Sequence, residues 1–369
     1  MNETVNALGK PLTGPTFSSY DAMDVQWLLT DLSDLPLERA VEERYLDRSE
    51  GKHYSEDLPI EYVPSREYLE AYEWALSDGI QELVQAVADV AGLIRRQRGN
   101  RVVLASLARA GTPMGILIRR YAFQEWGLDW PHFTLSIILG RGLDHAALDY
   151  LRTYHDPSQV IFVDGWTGKG AITRELKASL RDHKDFVPQI AVVADPGHCA
   201  DLSGTRNDVL IPSSCLNSTV SGLISRTVVP PNVITPGMFH GAKYYSHLRE
   251  HDRSNQFIDT VVAHFANVRP QMFQSQPPTW RGWDAVVKVA GELGIENLSL
   301  IKPGIGETTR VLLRRVPERI LVDESLADPE GRLAHIFLLA ADRNVPVHSW
   351  PGLPYACIGI AASETESPK

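Results

Sequence analysis

The sequence predicts an α/β protein built on a mostly parallel sheet, with a smaller α/β domain at its C-terminal end. Between residues 102 and 200, short apolar runs alternate with helical patterns, which is the order of parallel strands joined by helices. At residues 270–280, PQMFQSQPPTW, prolines and glutamines interrupt every hydrophobic period. We therefore expect one domain over 1–270, a linker over 271–280 and a second domain over 281–369.

The first hundred residues are expected to form a helical extension that covers the main sheet. Acidic side chains are spread through the run DAMDVQWLLTDLSDLPLERAVEERYLD in a helical pattern. Apolar residues from Ile80 to Ile94 then recur at helical spacing. Arginines just before Gly99 are typical of a helix C-terminus, so a long helix should end there.

The units that follow define the sheet and the C-terminal domain. The predicted strands of the sheet are VVLAS, FTLSII, VIFVD and IAVVAD, each followed by a helix. Beyond the linker, the predicted strands are LSLI, RILV, VPVHS and a last one near Cys357. They alternate with helices that end at Leu293 and that span 307–315 and 332–342.

Composition and charge limit the classes of function. Among 369 residues, 36 Lys and Arg stand against 46 Asp and Glu, so the net charge of -10 repels nucleic acid and anionic membranes at long range. Any site for an anion must therefore be local. The three cysteines form no CxxC pair, which argues against a disulfide scaffold or a zinc cluster and fits a reducing cytoplasm. The sequence predicts no export signal and no membrane helix.

The segment VIFVDGWTGKGAITREL predicts a phosphate-binding turn between a strand and a helix. Gly165, Gly168 and Gly170 allow a sharp turn whose amide groups point inward, directly before a helix N-terminus. Thr167 can donate a hydroxyl, and Lys169 supplies a positive charge. These groups together favour a phosphate.

Three interpretations of this turn stay open on the residues alone. A P-loop requires GxxxxGKS/T, but Val163 stands at the first glycine position and Gly170 replaces the hydroxyl residue. A dinucleotide-binding loop fits the GxG at Gly168 and Gly170, with Thr173 where a small residue is expected. A tight glycine turn without a ligand is the third interpretation.

A second turn of small residues lies upstream in the same sheet. The string SLARAGTP places Ala110, Gly111 and Thr112 between a strand and a helix, with Thr112 as the predicted N-cap. Arg109 can bind two phosphate oxygens through its guanidinium. Asp164, at the end of its strand, can accept hydrogen bonds from ribose hydroxyls or hold Mg2+. Two such turns on one sheet indicate a substrate with two phosphate groups.

The two turns, in this order, resemble those of the type I phosphoribosyltransferases, where an ARGG-like loop binds pyrophosphate and a later Thr-Gly turn binds the 5'-phosphate. The resemblance implies that family's fold, and phosphoribosyl pyrophosphate or a nucleotide as the ligand. It further implies that Arg109 and Asp164 are catalytic and that Asp164 holds Mg2+. The other residues of the turns would bind phosphate: Ala110, Gly111, Thr112, Gly165, Thr167, Gly168, Lys169 and Gly170.

Longer strings carry a resemblance over the whole chain, among them SSYDAMDVQWLL, GKHYSEDLP, ADPGHCADL and LIPSSCLNSTVSGLISRT. They resemble a bacterial family encoded with tellurite-resistance and stress genes, in which a phosphoribosyltransferase-like domain is fused to a pelota-type RNA-binding domain. Some members are labelled cysteine proteases. A nucleophilic Cys215 would need a histidine, and His198 and His240 are the nearest in sequence. A buried cysteine that packs as a small apolar residue is the alternative.

The loop GRGLD is a candidate lid. Arg141 and Asp144 lie in a polar loop with glycine hinges, a composition typical of loops that close over a ligand. An ordinary solvated loop is the alternative.

In the C-terminal domain, IKPGIGETTRVLLRRVPERILV resembles the ribosomal-protein and pelota family that grips kinked RNA. Between Lys302 and Arg319, five basic side chains face two acidic ones, and Arg310 and Arg314 share one helical face along which a phosphate backbone could run. A solvated helix face is the alternative. The predicted RNA-binding residues are Lys302, Gly304, Gly306, Glu307, Arg310 and Arg314.

Together these interpretations predict a cytoplasmic, Mg2+-dependent phosphoribosyltransferase-like enzyme in a stress or tellurite-resistance context, whose C-terminal domain binds structured RNA. A non-catalytic RNA-binding regulator that senses a phosphoribosyl ligand is the first alternative, because Gly165 stands where the resembled family has a second carboxylate. A cysteine protease is the second alternative.

Overall fold

The structure is a computed structural model that describes residues 9–40, 43–44, 51–271 and 276–362. Its α-helices are α1 Arg66–Arg98, α2 Gly111–Trp126, α3 His145–Tyr154, α4 Ala171–Ser179, α5 Ser254–Val262, α6 Arg281–Leu293, α7 Ile305–Arg314 and α8 Ala334–Asp342. Its strands are β1 Gln26–Leu28, β2 Thr30–Asp31, β3 Glu38–Arg39, β4 Leu58–Pro59, β5 Val103–Leu107, β6 His132–Leu135, β7 Ile137–Ile138, β8 Gly142–Leu143, β9 Val160–Trp166, β10 Ile190–Ala194, β11 Leu202–Thr205, β12 Gly241–Ala242, β13 Ile301–Pro303, β14 Pro317–Asp323, β15 Val347–Trp350 and β16 Cys357–Ala361.

A six-stranded sheet in the order β1-β6-β5-β9-β10-β11 forms the centre of the N-terminal part, and all its pairings are parallel. The residues of β5, β6 and β10 are all buried, as expected for strands covered on both faces. Helices α1, α2 and α5 pack in one apolar core and α3 and α4 in another. The predicted mostly parallel sheet is confirmed, and the carboxyl ends of its strands meet at one edge.

The prediction of a helical N-terminal extension is wrong for most of its described residues. The run from residue 9 to residue 40 consists of turns and short strands, and β1 pairs with β6 as an edge strand of the main sheet. Trp27 and Leu28 are fully buried there. The open edge of β6 gives this segment backbone partners and an apolar face, and that tertiary gain outweighs its helical pattern. Residues 1–8, 41–42 and 45–50 of the predicted extension lie outside the described residues, while the long helix ending at Arg98 is confirmed.

The C-terminal part is a four-stranded mixed sheet in the order β13-β16-β14-β15, packed with α6, α7 and α8. The predicted strand LSLI is displaced: residues 298–300 form a short 3-10 helix and the strand is β13. The predicted α7 begins two residues earlier, at Ile305. A small C-terminal α/β domain is thus confirmed. None of the helices in the described part of the chain is long and apolar enough to cross a membrane.

Candidate functional site

A cavity of about 250 Å³ lies where the carboxyl edge of the main sheet meets the C-terminal domain. Both domains contribute to its wall, so the turn at 165–170 and the turn after β13 share one pocket. The polar and charged residues that line it include Asp164, Thr167, Lys169, Thr173, Lys302 and Glu307. The pocket therefore brings together two of the predicted RNA residues, Lys302 and Glu307, and five of the predicted phosphate residues: Ala110, Thr167, Gly168, Lys169 and Gly170.

Glycines bring the two predicted turns of the main sheet into contact. A Cβ on Gly111 would lie 2.4 Å from the carbonyl oxygen of Val163, and one on Gly165 would lie 3.4 Å from that of Ala110. Gly170 has φ +74° and stands at the N-cap of α4. Any side chain at Gly111 would force β9 and α2 apart, so this close approach depends on glycine.

Asp164 lies at the base of the pocket, partly exposed to it. Its Oδ1 accepts a hydrogen bond from the Gly165 amide at 2.8 Å. Burial raises the pKa of Asp164 to about 7, although that hydrogen bond acts in the opposite direction. The carboxyl is therefore divided between its neutral and charged forms near neutral pH.

Lys169 bridges the two domains. Its Nζ donates to the carbonyl oxygen of Leu298 and, at 3.0 Å, to that of Ile301. Burial, reinforced by the nearby charge of Lys302, lowers the pKa of Lys169 to about 8. The structure thus gives Lys169 a docking role that its place in a glycine-rich turn did not predict.

Arg109 points away from this pocket. Its guanidinium donates to the carbonyl oxygen of Ile224 at 3.1 Å and lies 4.0 Å from the Glu61 carboxylate. Thr112 is buried, and its hydroxyl lies 3.1 Å from that of Thr134. The predicted pyrophosphate turn is therefore near the second turn, but two of its polar side chains bind protein groups.

The predicted lid is tied to its surroundings. Arg141 forms an ion pair with Glu56 at 2.7 Å. Asp144 is buried at the N-cap of α3, where Oδ1 accepts from the Ala146 amide at 3.0 Å, and burial raises its pKa. Asp144 thus stabilises the start of a helix in this conformation.

Asp164 is the only residue predicted to bind Mg2+. Asp164 contributes one carboxylate whose neutral form is favoured by burial, and among the described residues no group of three His, Cys, Asp or Glu side chains could hold a metal ion. The Mg2+ site stays a prediction.

The turn predicted to touch RNA faces the N-terminal domain. Gly304 and Gly306 are buried, and the Asp208 carboxylate accepts hydrogen bonds from the Ile305 amide at 3.0 Å and the Ala356 amide at 2.9 Å. A Cβ on Gly306 would lie 2.9 Å from the Ser214 hydroxyl oxygen. An acidic side chain of the first domain thus occupies the helix N-terminus where an anion would bind.

The basic residues in and next to α7 differ in exposure. Lys302 is partly buried, Arg310 pairs with Glu307 at 3.0 Å, and Arg315 is exposed. Arg314 is the last residue of α7, and its side chain lies outside the described set.

The three cysteines have different environments, although each is 0% exposed. Cys215 belongs to the main apolar core, and Cys357 lies in the C-terminal domain, where burial raises its thiol pKa. Cys199 lies beside the turn: its Sγ is 3.0 Å from the position of a Cβ on Gly170. Burial raises the Cys199 pKa, whereas hydrogen bonds with Thr167 and Thr173 act to lower it.

The loop that carries Cys199 is held by polar contacts on both sides. Cys199 and Ala200 donate their amide groups to the Asp195 carboxylate at 2.9 and 3.1 Å. From the other side, the Thr279 and Trp280 amides donate to the carbonyl oxygen of His198 at 3.0 and 2.9 Å. The only sequence signal for this site is that ADPGHC follows a strand at the ligand-binding edge of the sheet.

A larger groove of about 430 Å³ lies between α1 and β11. Its walls carry Glu82 and Asp89, and its Arg206 already pairs with Asp195. It offers no unpaired cation for an anionic ligand among the residues that line it, so the pocket at Asp164 is the stronger candidate.

The fold and this junction define a two-part protein: a parallel α/β domain docked to a small mixed α/β domain. Residues 280–363 match the PELOTA RNA binding domain, and residues 18–262 match the family described as tellurite-like stress resistance cysteine protease StiP. The chain is also 36% identical, over 335 residues, to a protein of Acinetobacter baylyi called cysteine protease StiP, with 86% of this chain and 87% of the relative covered. The chain belongs to the StiP family.

These matches correct the functional prediction. Phosphoribosyl transfer is wrong as the predicted activity, because both the family and the relative are described as cysteine proteases. The comparisons lend no support to a phosphoribosyl or nucleotide ligand either. The physical reason for the error is that a glycine-rich turn before a helix is a general anion-binding device found in several classes of protein. The predicted link to stress resistance and the pelota-type C-terminal domain are confirmed.

Proposed function

We propose that this chain is a cysteine peptidase acting in tellurite-like stress resistance, with Cys199 as its nucleophile, and that its C-terminal domain binds structured RNA. The observation that carries the choice of Cys199 is its position beside the glycine turn at the carboxyl edge of the sheet, the edge at which open α/β sheets bind ligands. The peptidase class itself is supported by the similarity, over 86% of this chain, to a protein named as a cysteine protease.

Hydroxyl and basic side chains lie close to Cys199. A reactive cysteine needs polar and electropositive surroundings that stabilise the thiolate. Besides Thr167 and Thr173, the charges of Arg174 and Lys177 act to lower the pKa of Cys199, and burial is what raises it. The Cys199 thiol also donates to the Asp195 carboxylate at 3.7 Å, so the proposal requires this loop to leave its buried position before the thiolate forms. Cys215, by contrast, is part of the main apolar core.

His198 is the base that we assign. Its Nε2 is buried without a hydrogen-bond partner, and burial, followed by the charge of Arg281, lowers its pKa, so the imidazole is neutral near pH 7. A neutral imidazole can take the Cys199 proton as the sulfur attacks the peptide carbonyl carbon. It returns that proton to the departing amine, and water then hydrolyses the thioester.

The described conformation is a closed form of this site. Cys199 is 0% exposed, and the segment entering α6 covers its loop: besides the bonds to His198, the Gly282 amide donates to the carbonyl oxygen of Gly197 at 3.3 Å. The proposed chemistry therefore requires the 195–199 loop to separate from the residues around Trp280, so that His198 can turn toward the thiol.

A peptidase assay with three matched substitutions tests this proposal. Hydrolysis of fluorescein-labelled denatured casein is compared for wild type, Cys199→Ser, Cys215→Ser and Cys357→Ser, each checked by circular dichroism. We expect Cys199→Ser alone to lose activity, by at least about a hundredfold, because an unactivated hydroxyl is a far weaker nucleophile than a thiolate. No hydrolysis by wild type, or hydrolysis that survives Cys199→Ser, overturns the proposal.

The RNA part rests on the match to the PELOTA RNA binding domain and on the basic residues Lys302, Arg310 and Arg315 along β13 and α7. Binding to phosphates should weaken as salt rises, since each neutralised phosphate releases counterions. Gel-shift measurements of the full chain with a bulged RNA hairpin at increasing KCl test this part. Absence of a shift at the lowest salt would refute it.

A further inference from the structure

Basic side chains from both domains gather around the junction pocket. The charges of Lys302, Arg174 and Arg315 are close enough to Lys169 to lower its pKa in addition to the effect of burial. Arg310 and Arg315 act on Lys302 in the same direction. These five basic side chains stand against the acidic Asp164 and Glu307, which line the pocket. In a chain of net charge -10, such an excess of positive charge is a local exception that a polyanion would stabilise.

Two tryptophans lie beside this cluster. The Arg174 guanidinium is 4.3 Å from the ring centroid of Trp283 and 5.2 Å from that of Trp280. Arg174 is exposed and both rings are partly exposed. Flat guanidinium and indole groups held in this way are the surfaces on which unpaired RNA bases stack.

The position of the pelota-type turn decides which surface remains open. Asp208 and the buried hydroxyl of Ser214, which has no hydrogen-bond partner, face Gly304–Gly306 from the first domain. RNA cannot reach that turn while the domains are docked. The flank that stays accessible carries Lys302, Arg310 and Arg315, and it continues across the pocket to Arg174.

We infer that RNA binds across the domain junction, with Lys302, Arg310 and Arg315 contacting phosphates and the Arg174, Trp280 and Trp283 cluster stacking an unpaired base. This inference rests on the proposed RNA binding by the C-terminal domain and adds the N-terminal helix α4 and the start of α6 to the contact surface. Lys169 is not counted as a direct contact, because it already donates to two carbonyl groups. The aromatic cluster favours RNA with unpaired bases over a fully paired duplex.

Fluorescence anisotropy with the full chain tests the inference. One labelled probe is an RNA hairpin whose loop carries unpaired bases, and the other is a fully paired RNA of equal length. The variants are Arg174→Ala and Trp283→Ala, with Trp283→Phe to restore an aromatic ring. Arg181→Ala is the matched control, because Arg181 is an exposed arginine just beyond the opposite end of α4. Lys302→Ala and Arg310→Ala report on the C-terminal half of the surface.

We expect Arg174→Ala and Trp283→Ala each to weaken binding of the looped hairpin about tenfold, with Trp283→Phe close to wild type, since stacking on an aromatic ring contributes of that order. Lys302→Ala should reduce the salt slope by about one, because Lys302 is assigned to a phosphate. Arg181→Ala should bind as wild type does.

The outcomes separate the two levels of the proposal. In one outcome, Lys302→Ala and Arg310→Ala lose binding, while Arg174→Ala and Trp283→Ala bind with the same affinity as the control Arg181→Ala. This outcome confines RNA to the C-terminal domain and overturns the junction surface. Wild type that binds neither RNA overturns RNA binding itself. Equal affinity for an acidic peptide of the same charge would show that the cluster recognises charge alone and would also overturn the inference.

Discussion

Replacing Asp164 with asparagine should make the folded protein more stable at alkaline pH. The carboxyl lies at the base of the junction pocket, where burial raises its pKa from 3.8 to about 7. Asparagine has nearly the same shape, and its side-chain oxygen can still accept the 2.8 Å hydrogen bond from the Gly165 amide. The substitution therefore removes the charge and little else.

The size of the effect follows from linkage between proton binding and folding. A shift of about three pKa units corresponds to at most about 4 kcal/mol. Because Asp164 is partly exposed to the pocket, solvent screening reduces this to about 2 kcal/mol. The folded pKa is raised, so the stabilising contribution is complete below pH about 4 and is lost as pH rises through about 7. The variant should equal wild type at pH 4 and exceed it by about 2 kcal/mol at pH 8.

Urea unfolding followed by tryptophan fluorescence, at pH 4, 6 and 8, measures this difference. Asp34→Asn is the control, because Asp34 is exposed and its replacement changes the net charge by the same amount. Its difference from wild type should stay within about 0.5 kcal/mol at each pH. If Asp164→Asn gains nothing at pH 8, or loses stability there, the carboxyl is not held in a desolvating site and the reasoning fails.

Three further predictions concern the closed junction. Tyr355→Phe removes the hydroxyl that donates to the carbonyl oxygen of Gly168 at 3.0 Å. Thermal unfolding should therefore show a loss of about 1 kcal/mol in stability, and trypsin should cleave the segment before α6 faster. An unchanged cleavage rate would refute this contact. Gly197→Ala should lower the free energy of unfolding in urea by more than about 2 kcal/mol, because its Cβ would lie 2.1 Å from the carbonyl oxygen of Gly168. Gly291→Ala is the control: its Cβ would lie in open space on α6, so the change should be neutral or stabilising by up to about 1 kcal/mol. Because Cys215 and Cys357 are buried away from the proposed site, Ellman's reagent should modify neither rapidly in the native protein and both in urea, and a fast native reaction at Cys215 would contradict the packing of the core.

The sequence predicted the sheet and its turns because their causes are local. Buried parallel strands appear as apolar runs, and the glycines around Asp164 mark a sharp turn wherever the chain is placed. Partners far apart in sequence could not be predicted in this way. Nothing near Lys169 indicates that its ammonium binds the carbonyl oxygen of Leu298, and nothing near Asp208 indicates that it accepts from the amide of Ile305.

The chemistry assigned to the turns failed for a related reason. Amide groups at a helix N-terminus donate hydrogen bonds to many kinds of anion, and an arginine can donate to protein groups instead of phosphate, as Arg109 does to the carbonyl oxygen of Ile224. From the sequence only Cys215 was considered as a nucleophile, because the reactivity of a cysteine depends on surroundings that the sequence does not show. Cys199 has polar neighbours from α4 and the turn, and Cys215 lies in the main core, a difference that only the folded chain reveals.

Site mapping with an activity-based probe tests the central claim most directly. A peptidyl vinyl sulfone alkylates an activated thiolate, so the full chain is incubated with it under conditions that support casein hydrolysis, and the modified residue is located by tryptic mass spectrometry. We expect the probe to modify Cys199, and casein hydrolysis to fall in proportion to that modification. We expect no modification of Cys199 in the His198→Ala variant. Modification of Cys215 instead, or full loss of hydrolysis with Cys199 unmodified, would contradict the assignment.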